Sequence, residues 1–436
     1  LVLAPHPDDE TLCCSGVIQQ ALAQHVPVRI VFLTYGDSNE WSFIVSSHHL
    51  VVPGRSALHF GMIRHDEAMA ADQTLGVDPQ QIVFLGYPDH GTLDMFTSHW
   101  GSRPPLTALL TRQKAVPYPT AVRPGAPYTG DSVLQDLEAQ MREFKPTRIF
   151  VSHPADANVD HRAYYLYARV ALWETGISAE VYPFLTHWPH WPEPHGYRPD
   201  QTLDPPAVLK DQLSWHVDPL TAVQIGVKKQ ALACHKTQMS YSAGYLMSFI
   251  KQNELFGDLA RLDLRHVAPV SSGTPDEAMP GAEPSSLVGN EWKFVRVDDQ
   301  GRLELSIEES RPLARETEAA FYAFGYRPDK RFADMPKIHV VAGLRSSADD
   351  QGRRISAPGL EMVRRGRRIT VRIPLSLLGD PDRVLVSSRT WLGGMALDWS
   401  VWYEVDLPSG ALPPSRCAGA PPARSVGSPA ASASRY

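Results

Sequence analysis

The sequence predicts two architectures in series: an α/β part with a Rossmann-like, mostly parallel sheet, then a C-terminal antiparallel β-sandwich. Three observations carry this. Residues 1 to 256 alternate short apolar or β-branched runs with helical patterns, and strands joined by crossover helices pair in parallel. A polar cluster follows each proposed strand, at the edge where open parallel sheets bind ligands. After residue 288 the pattern turns to period-two alternation with few helical stretches.

"LVLA" (1–4) is the first strand. From Thr11, residues Cys14, Val17, Ile18, Ala21 and Leu22 share one helical face. "VPVRIVFLT" (26–34) is a second strand, "RHDEAMAADQTLG" (64–76) a helix closed by Gly76, and "IVFLG" (82–86) a third strand. The irregular excursion 97–130 is too long for a plain connector and reads as a lid or substrate wall. Leu134, Leu137, Met141 and Phe144 mark a helix, "TRIFVS" (147–152) a strand, and His161 to Thr175 a helix. "AEVYPFLTHW" (179–188) is a fifth strand, and 218–239 and 243–256 read as closing helices. Residues 257–288, rich in Pro, Ser, Gly and acidic groups, read as a linker. "GRLELSI" (301–307), "RRITVRIPLSLLG" (367–379) and "SVWYEVDL" (400–407) supply strands of a domain spanning 289–411. The tail, 412–436, has the composition of a disordered segment.

Composition narrows the function classes. A net charge of -6 gives no electrostatic case for nucleic acid or anionic membranes. The four cysteines show no CxxC spacing, which argues against a disulfide framework or a cysteine zinc site. No apolar run approaches the roughly 20 residues of a membrane helix. The chain starts without Met inside a strand, so a signal peptide or a few residues are read as removed. Cell envelope, secretion and cytoplasm all stay open, as does the oligomeric state.

The polar clusters are "PHPDDE" (5–10), "YGDSN" (35–39), "YPDHG" (87–91), "HPADANVDH" (153–161) and "HWPHW" (187–191). His, Asp and a distant His suit one zinc ion with an open position. His6 and Asp9 stand three apart at a strand-to-helix turn and can face one point; His161 supplies a third ligand from the fourth strand. Asp8 lies between two ligands and is free to act as general base on water. The plain alternative is that "DDE" only caps a helix and that His161 is a surface residue.

"PHPDDE" together with "DANVDHRA" (156–163) resembles the PIG-L/LmbE-like family of zinc-dependent N-deacetylases. The likeness continues through "VFLTYGDSN", "FLGYPDHGTL", "HWPHWPEPHG" and "KKQALACHKTQM", over residues 1 to 256. It implies zinc on His6, Asp9 and His161, Asp8 as base, and Asp160 orienting the site. It puts substrate-hydroxyl contacts near Arg64 and Asp89, whose plain readings are a helix-surface arginine and a turn residue. The implied substrate is an N-acetylated amino sugar, glycan or glycolipid.

One position departs from the pattern. Some family members carry a histidine where Asn158 stands. Asparagine can donate to an oxyanion but cannot carry a proton, so the leaving amine needs Asp8 or His187 as acid. His187 is equally readable as a structural histidine, and His235 is read as structural. Two other classes compete: a non-catalytic sugar-binding protein, and a nucleotide-binding protein, which lacks GxGxxG after the first strand. Trp188, Trp191 and Tyr197 offer aromatic faces for a pyranose or form a hydrophobic clasp.

Overall fold

The computed structural model describes residues 1–38, 54–259, 261–267, 291–308 and 313–408. The apolar runs of the first half form β1 (Val2–Ala4), β2 (Ile30–Thr34), β3 (Ile82–Tyr87), β4 (Arg148–Ser152) and β5 (Glu180–Phe184). All five run parallel, in the order β3-β2-β1-β4-β5. Leu3 lies opposite Val31 on one side, and Val2 opposite Phe150 on the other. Every residue of β1 and β2 is buried, as strands covered on both faces require.

The helices between them are α1 (Asp9–Ala23), α2 (Gly54–Thr74), α3 (Thr92–Ser98), α4 (Gly130–Phe144) and α5 (Val159–Thr175). Local chemistry sets several ends. The Thr129 side chain caps α4 by accepting from the Ser132 N–H, and Leu134, Leu137 and Met141 form its buried face. Asn158 caps α5 in the same way, and Gly176 ends it in the left-handed region (φ 66). From β1 the strand order runs outward both ways, so the ends of β1 and β4 enclose the switch point where such sheets bind ligands.

Two closing helices are present with other bounds, and the end of the stretch expected as the second is corrected to a strand. Chain order is β6 (Ser214–Pro219), α6 (Ala222–Leu232), α7 (Lys236–Leu246) and β7 (Asn253–Asp258). β7 extends the sheet antiparallel to β5, and β6 pairs antiparallel with β7. β7, "NELFGD", is buried along its first five residues. A strand buried on both faces shows no alternation, and its Asn, Glu and Gly have low strand propensity, so periodicity cannot separate it from helix.

The second half holds β8 (Leu262–Asp263), β9 (Glu291–Val297), β10 (Arg302–Glu308), β11 (Thr317–Tyr326), β12 (Lys337–Ala342) and β13 (Ser347–Asp350). It continues with β14 (Arg353–Arg354), β15 (Glu361–Arg365), β16 (Arg368–Pro374), β17 (Arg383–Leu392), β18 (Met395–Trp399) and β19 (Tyr403–Asp406). One sheet has the order β15-β16-β10-β9; the other has β14-β13-β12-β11-β17-β19-β8, with β18 on β17. Only the β8–β19 pairing is parallel among these. The period-two pattern places Leu303, Leu305 and Ile307 opposite Ile373, Val371 and Ile369. The stretch read as linker therefore starts inside β7 and includes β8, while 268–290 and 409–436 lie outside the described residues.

These sheets grip the helix that carries His161. Arg169 of α5 donates to Glu404 of β19 from Nε (2.9 Å) and Nη2 (2.7 Å), with both residues buried. The Tyr326 hydroxyl donates to the Trp173 carbonyl at 3.1 Å. The excursion 97–130 is docked by Trp100, which packs edge-on to Phe332 and whose backbone N–H reaches Gln351 Oε1 at 2.9 Å.

Candidate metal centre

β1 ends at Ala4, and the next residues bring His6, Asp8 and Asp9 to the switch point. α5 delivers His161 from the end of β4. His6 Nδ1, His161 Nε2 and Asp9 Oδ2 form a near-equilateral triangle: 3.3 Å between the nitrogens, and 3.3 and 3.1 Å from each to the carboxylate oxygen. Ligands at zinc–nitrogen and zinc–oxygen bond lengths on a tetrahedron stand about 3.3 Å apart. The triangle has the dimensions of three corners of such a site.

The outer nitrogens fix which way the rings point. His6 Nε2 lies 3.3 Å from Asp160 Oδ2 and 3.2 Å from Asp89 Oδ1. His161 Nδ1 lies 3.3 Å from Asp156 Oδ2. With each outer nitrogen protonated toward a carboxylate, the two inner nitrogens present lone pairs to each other beside an acidic oxygen. That donor set fits a cation. Burial works against charge on His161, but Asp156 and Asp9 outweigh it and push its pKa up to about 9. Burial likewise raises the Asp9 carboxyl, yet His161 and His6 hold it well below the usual range.

Asp160 is itself anchored, accepting from the His90 N–H (2.6 Å) and from the Thr92 N–H (3.1 Å). Asp89 Oδ2 accepts from the Ser38 N–H at 2.9 Å. Asp8 sits beside the triangle on strained backbone, φ 136 and ψ -26. Its N–H is held by Glu10 Oε2 (3.0 Å), and its carbonyl accepts from the Leu12 N–H (2.9 Å). Burial pushes the Asp8 carboxyl up to about 6, against the opposing pull of Arg64.

Arg64, expected near the substrate, is buried and lines the cavity over the triangle. Nη1 donates to the Gly36 carbonyl (3.0 Å), and Nη2 to the Pro7 carbonyl (2.7 Å) and Asp8 Oδ2 (3.4 Å). Gly36 has φ +63, and a Cβ there would meet Nη1 at 2.0 Å, so only glycine permits this approach. Asn158 is half-buried; its Oδ1 accepts from the Asp160 N–H at 2.8 Å, which leaves its amide N–H groups free to turn to the cavity. His187 stands edge-on to His161, 4.6 Å between ring centroids, with Nδ1 3.2 Å from Asp156 Oδ1.

Sequence reasoning assigned Asp156 no role. Its Oδ2 also accepts from the Thr186 and His187 N–H groups, both at 2.9 Å, so one carboxylate ties the α5 turn to the end of β5. Its signal was its place five residues before His161, inside a motif already singled out. Also missed was the roof: Gln238, Tyr241 and Tyr245 of α7 close a cavity of about 100 Å³ over the cluster, and α7 departs from helical geometry at Ser242. His235 touches Glu10 Oε1 at 3.3 Å. Larger hollows of about 510 and 570 Å³ include no residue of the triangle.

Fold and cluster together define an α/β domain with a candidate cation centre at its switch point. Residues 1–172, which hold the whole triangle, match the family model described as PIG-L: GlcNAc-PI de-N-acetylase. The family likeness carried by the two motifs is therefore shown over that segment. No curated protein matches the chain. Among solved structures, N,N'-diacetylchitobiose deacetylase from Pyrococcus horikoshii has 17% identity over 56% of this chain and 74% of that one, with a TM-score of 0.33. The A40926 pseudoaglycone deacetylase Dbv21 has 16% identity over 59% and 94%, TM-score 0.37. GalB, the 4-carboxy-2-hydroxymuconate hydratase from Pseudomonas putida KT2440, has 18% identity over 57% and 81%, TM-score 0.34.

Proposed function

We propose that the chain is a zinc-dependent hydrolase that removes an N-acyl group, most simply N-acetyl, from an amino-sugar-containing substrate. The observation that carries this is the triangle of His6 Nδ1, His161 Nε2 and Asp9 Oδ2, with the Asp8 carboxylate beside it. The family match over residues 1–172 supports the reaction class. In this reading residues 1–256 are the catalytic domain, and 289–411 form an appended β-sandwich.

His6, Asp9 and His161 hold one zinc ion. Bound there, zinc lowers the pKa of a water and polarises the acyl carbonyl. Asp8 takes the proton from the attacking water. The Asn158 amide, its oxygen committed to the helix cap, donates to the developing oxyanion. Asp8 or His187 returns a proton to the leaving amine. Asp160 and Asp156 set the tautomers of His6 and His161. Arg64 holds the Asp8 loop, and Asp89 braces His6 at the cavity wall.

The test is zinc content measured alongside acetate release from a panel of N-acetylated sugars, glycans and glycolipids. Stoichiometric zinc with release that a chelator stops is the expected result; a metal-free protein inert on the whole panel would sink the reading. A second variant probes the outer carboxylate. Asp156→Asn is expected to weaken zinc binding about 10–100-fold, measured by competition with a chelator. Unchanged affinity would mean that His161 does not depend on Asp156 for its orientation.

A further inference from the structure

Two arginines meet where the halves of the chain dock. Arg162 of α5 is only 7% exposed, and its guanidinium carbon lies 5.3 Å from the ring centroid of Trp399 on β18. Arg389 of β17 stands opposite Trp399 in the hairpin. Its guanidinium carbon lies 4.8 Å from the same ring and 5.0 Å from the ring of Trp391. One indole therefore carries a cation from each half of the chain.

The donors at this junction outnumber the acceptors. Buried Nη1 of Arg162 and Nε1 of Trp399 have no hydrogen-bond partner. Buried donors are nearly always paired, so two orphans beside one ring call for a ligand. Among the described residues no carboxylate forms an ion pair with either guanidinium. Asp156 offers Arg162 only its carbonyl, which accepts from Nε at 2.6 Å, because its carboxylate is committed to His161 and His187. Asp94 of α3 feels the charge of Arg389 but is exposed to water.

Donors without acceptors select an anion. Guanidinium and indole N–H groups can only donate. Stacking on an indole uses the flat face of a guanidinium and leaves its N–H edge free for a ligand. Two positive charges without counter-charges match a phosphate, which carries about -1.5 to -2 near pH 7 and three acceptor oxygens. A neutral sugar would leave both charges uncompensated, and a metal cation would be repelled.

We infer that Arg162, Arg389 and Trp399 form a phosphate-binding site between α5 and the β17–β18 hairpin, taking inorganic phosphate or the phosphate of a monoester. None of the three lines the cavity over the triangle, so the site is separate from the metal cluster and does not rest on the deacetylase reading. Arg162 comes from the α/β part and the other two from the appended sheets, so neither half builds it alone.

Calorimetric titration of the full chain with inorganic phosphate at constant ionic strength tests it. Wild type is expected to bind one phosphate per chain. Arg389→Gln weakens binding about tenfold or more, and Arg389→Lys weakens it less. Trp399→Phe keeps the ring, drops the N–H and weakens binding about threefold or more; it carries the same comparison if Arg389→Gln does not fold. Phosphate bound as tightly in these variants as in wild type sits elsewhere, the metal cluster included, and overturns the site. A readout that needs no variant is the unfolding midpoint of wild type, which should rise saturably with phosphate and not with chloride at matched ionic strength. A flat midpoint without heat of binding also overturns it. Glycerol 3-phosphate distinguishes the sources: tighter binding than inorganic phosphate supports a monoester ligand, and weaker binding supports the free ion.

Discussion

Asp8→Asn is expected to lower kcat by about 10²–10⁴-fold while zinc content and fold stay as they were. The size follows from the loss of a general base that no other carboxylate of the cavity replaces. Asp9, the nearest carboxylate, is spent on both imidazoles, and Asp89 and Asp160 are spent on His6 Nε2. The substitution is also clean. Asparagine has the shape of aspartate, keeps an oxygen for the Arg64 contact, and is among the residues that best tolerate positive φ. The backbone at Asp8 costs about 1–3 kcal/mol to hold, and bonds from Glu10 and Leu12 over-determine it. Strain of that size at the carboxylate between two ligands is what a loop built to aim one side chain would carry. The measurement is single-turnover acetate release with zinc quantified in the same sample. Full activity with zinc retained would show that Asp8 is not the base.

The two motifs made the triangle legible because its ligands lie at strand ends, and strand ends can be read from periodicity. "PHPDDE" follows an apolar run, and "DANVDH" follows another; a parallel sheet then brings their ends together. What periodicity does not encode is which backbone groups meet across the sheet edge. Asp156 acts through N–H groups of residues 186 and 187, thirty positions away, so the motif marks its place but not its partners. Arg64 has partners that the sequence does not mark. It was read as a forked donor toward a sugar; it lines the cavity, and Gly36 and Pro7 also bring carbonyls to it, with Nη2 near Asp8 Oδ2. The roof from α7 and the strand β7 were hidden for one reason: both owe their place to tertiary partners, Tyr245 to the Thr186 carbonyl and Glu254 to a buried lysine.

That lysine carries the second large effect. Lys228→Met is expected to cost about 3–5 kcal/mol at neutral pH, because it leaves Glu254 charged, buried and without its cation. The pair is closed from water on every side. Lys228 Nζ lies 2.9 Å from Glu254 Oε1, and the carboxylate also accepts from the Gly16 and Val17 N–H groups of α1 at 2.9 and 3.1 Å. Loss of the pair therefore loosens three elements, α1, α6 and β7, at the back of the helix that supplies Asp9. The cost depends on pH with a definite sign. Burial already raises the Glu254 carboxyl above its ordinary 4.5, with Lys228 pulling it back down. A carboxyl whose folded pKa is raised binds more protons folded than unfolded, so stability falls as pH rises through that value. Removing Lys228 raises it further and deepens the fall. The gap between variant and wild type, read from urea midpoints at each pH, should thus be smallest near pH 4.5, where the carboxyl can take a proton, and widen toward neutrality. A gap independent of pH would place the loss in packing of the methionine instead. Lys228→Met combined with Glu254→Leu removes both charges and should recover most of the stability, since an apolar pair of similar volume in such a site is commonly neutral or better.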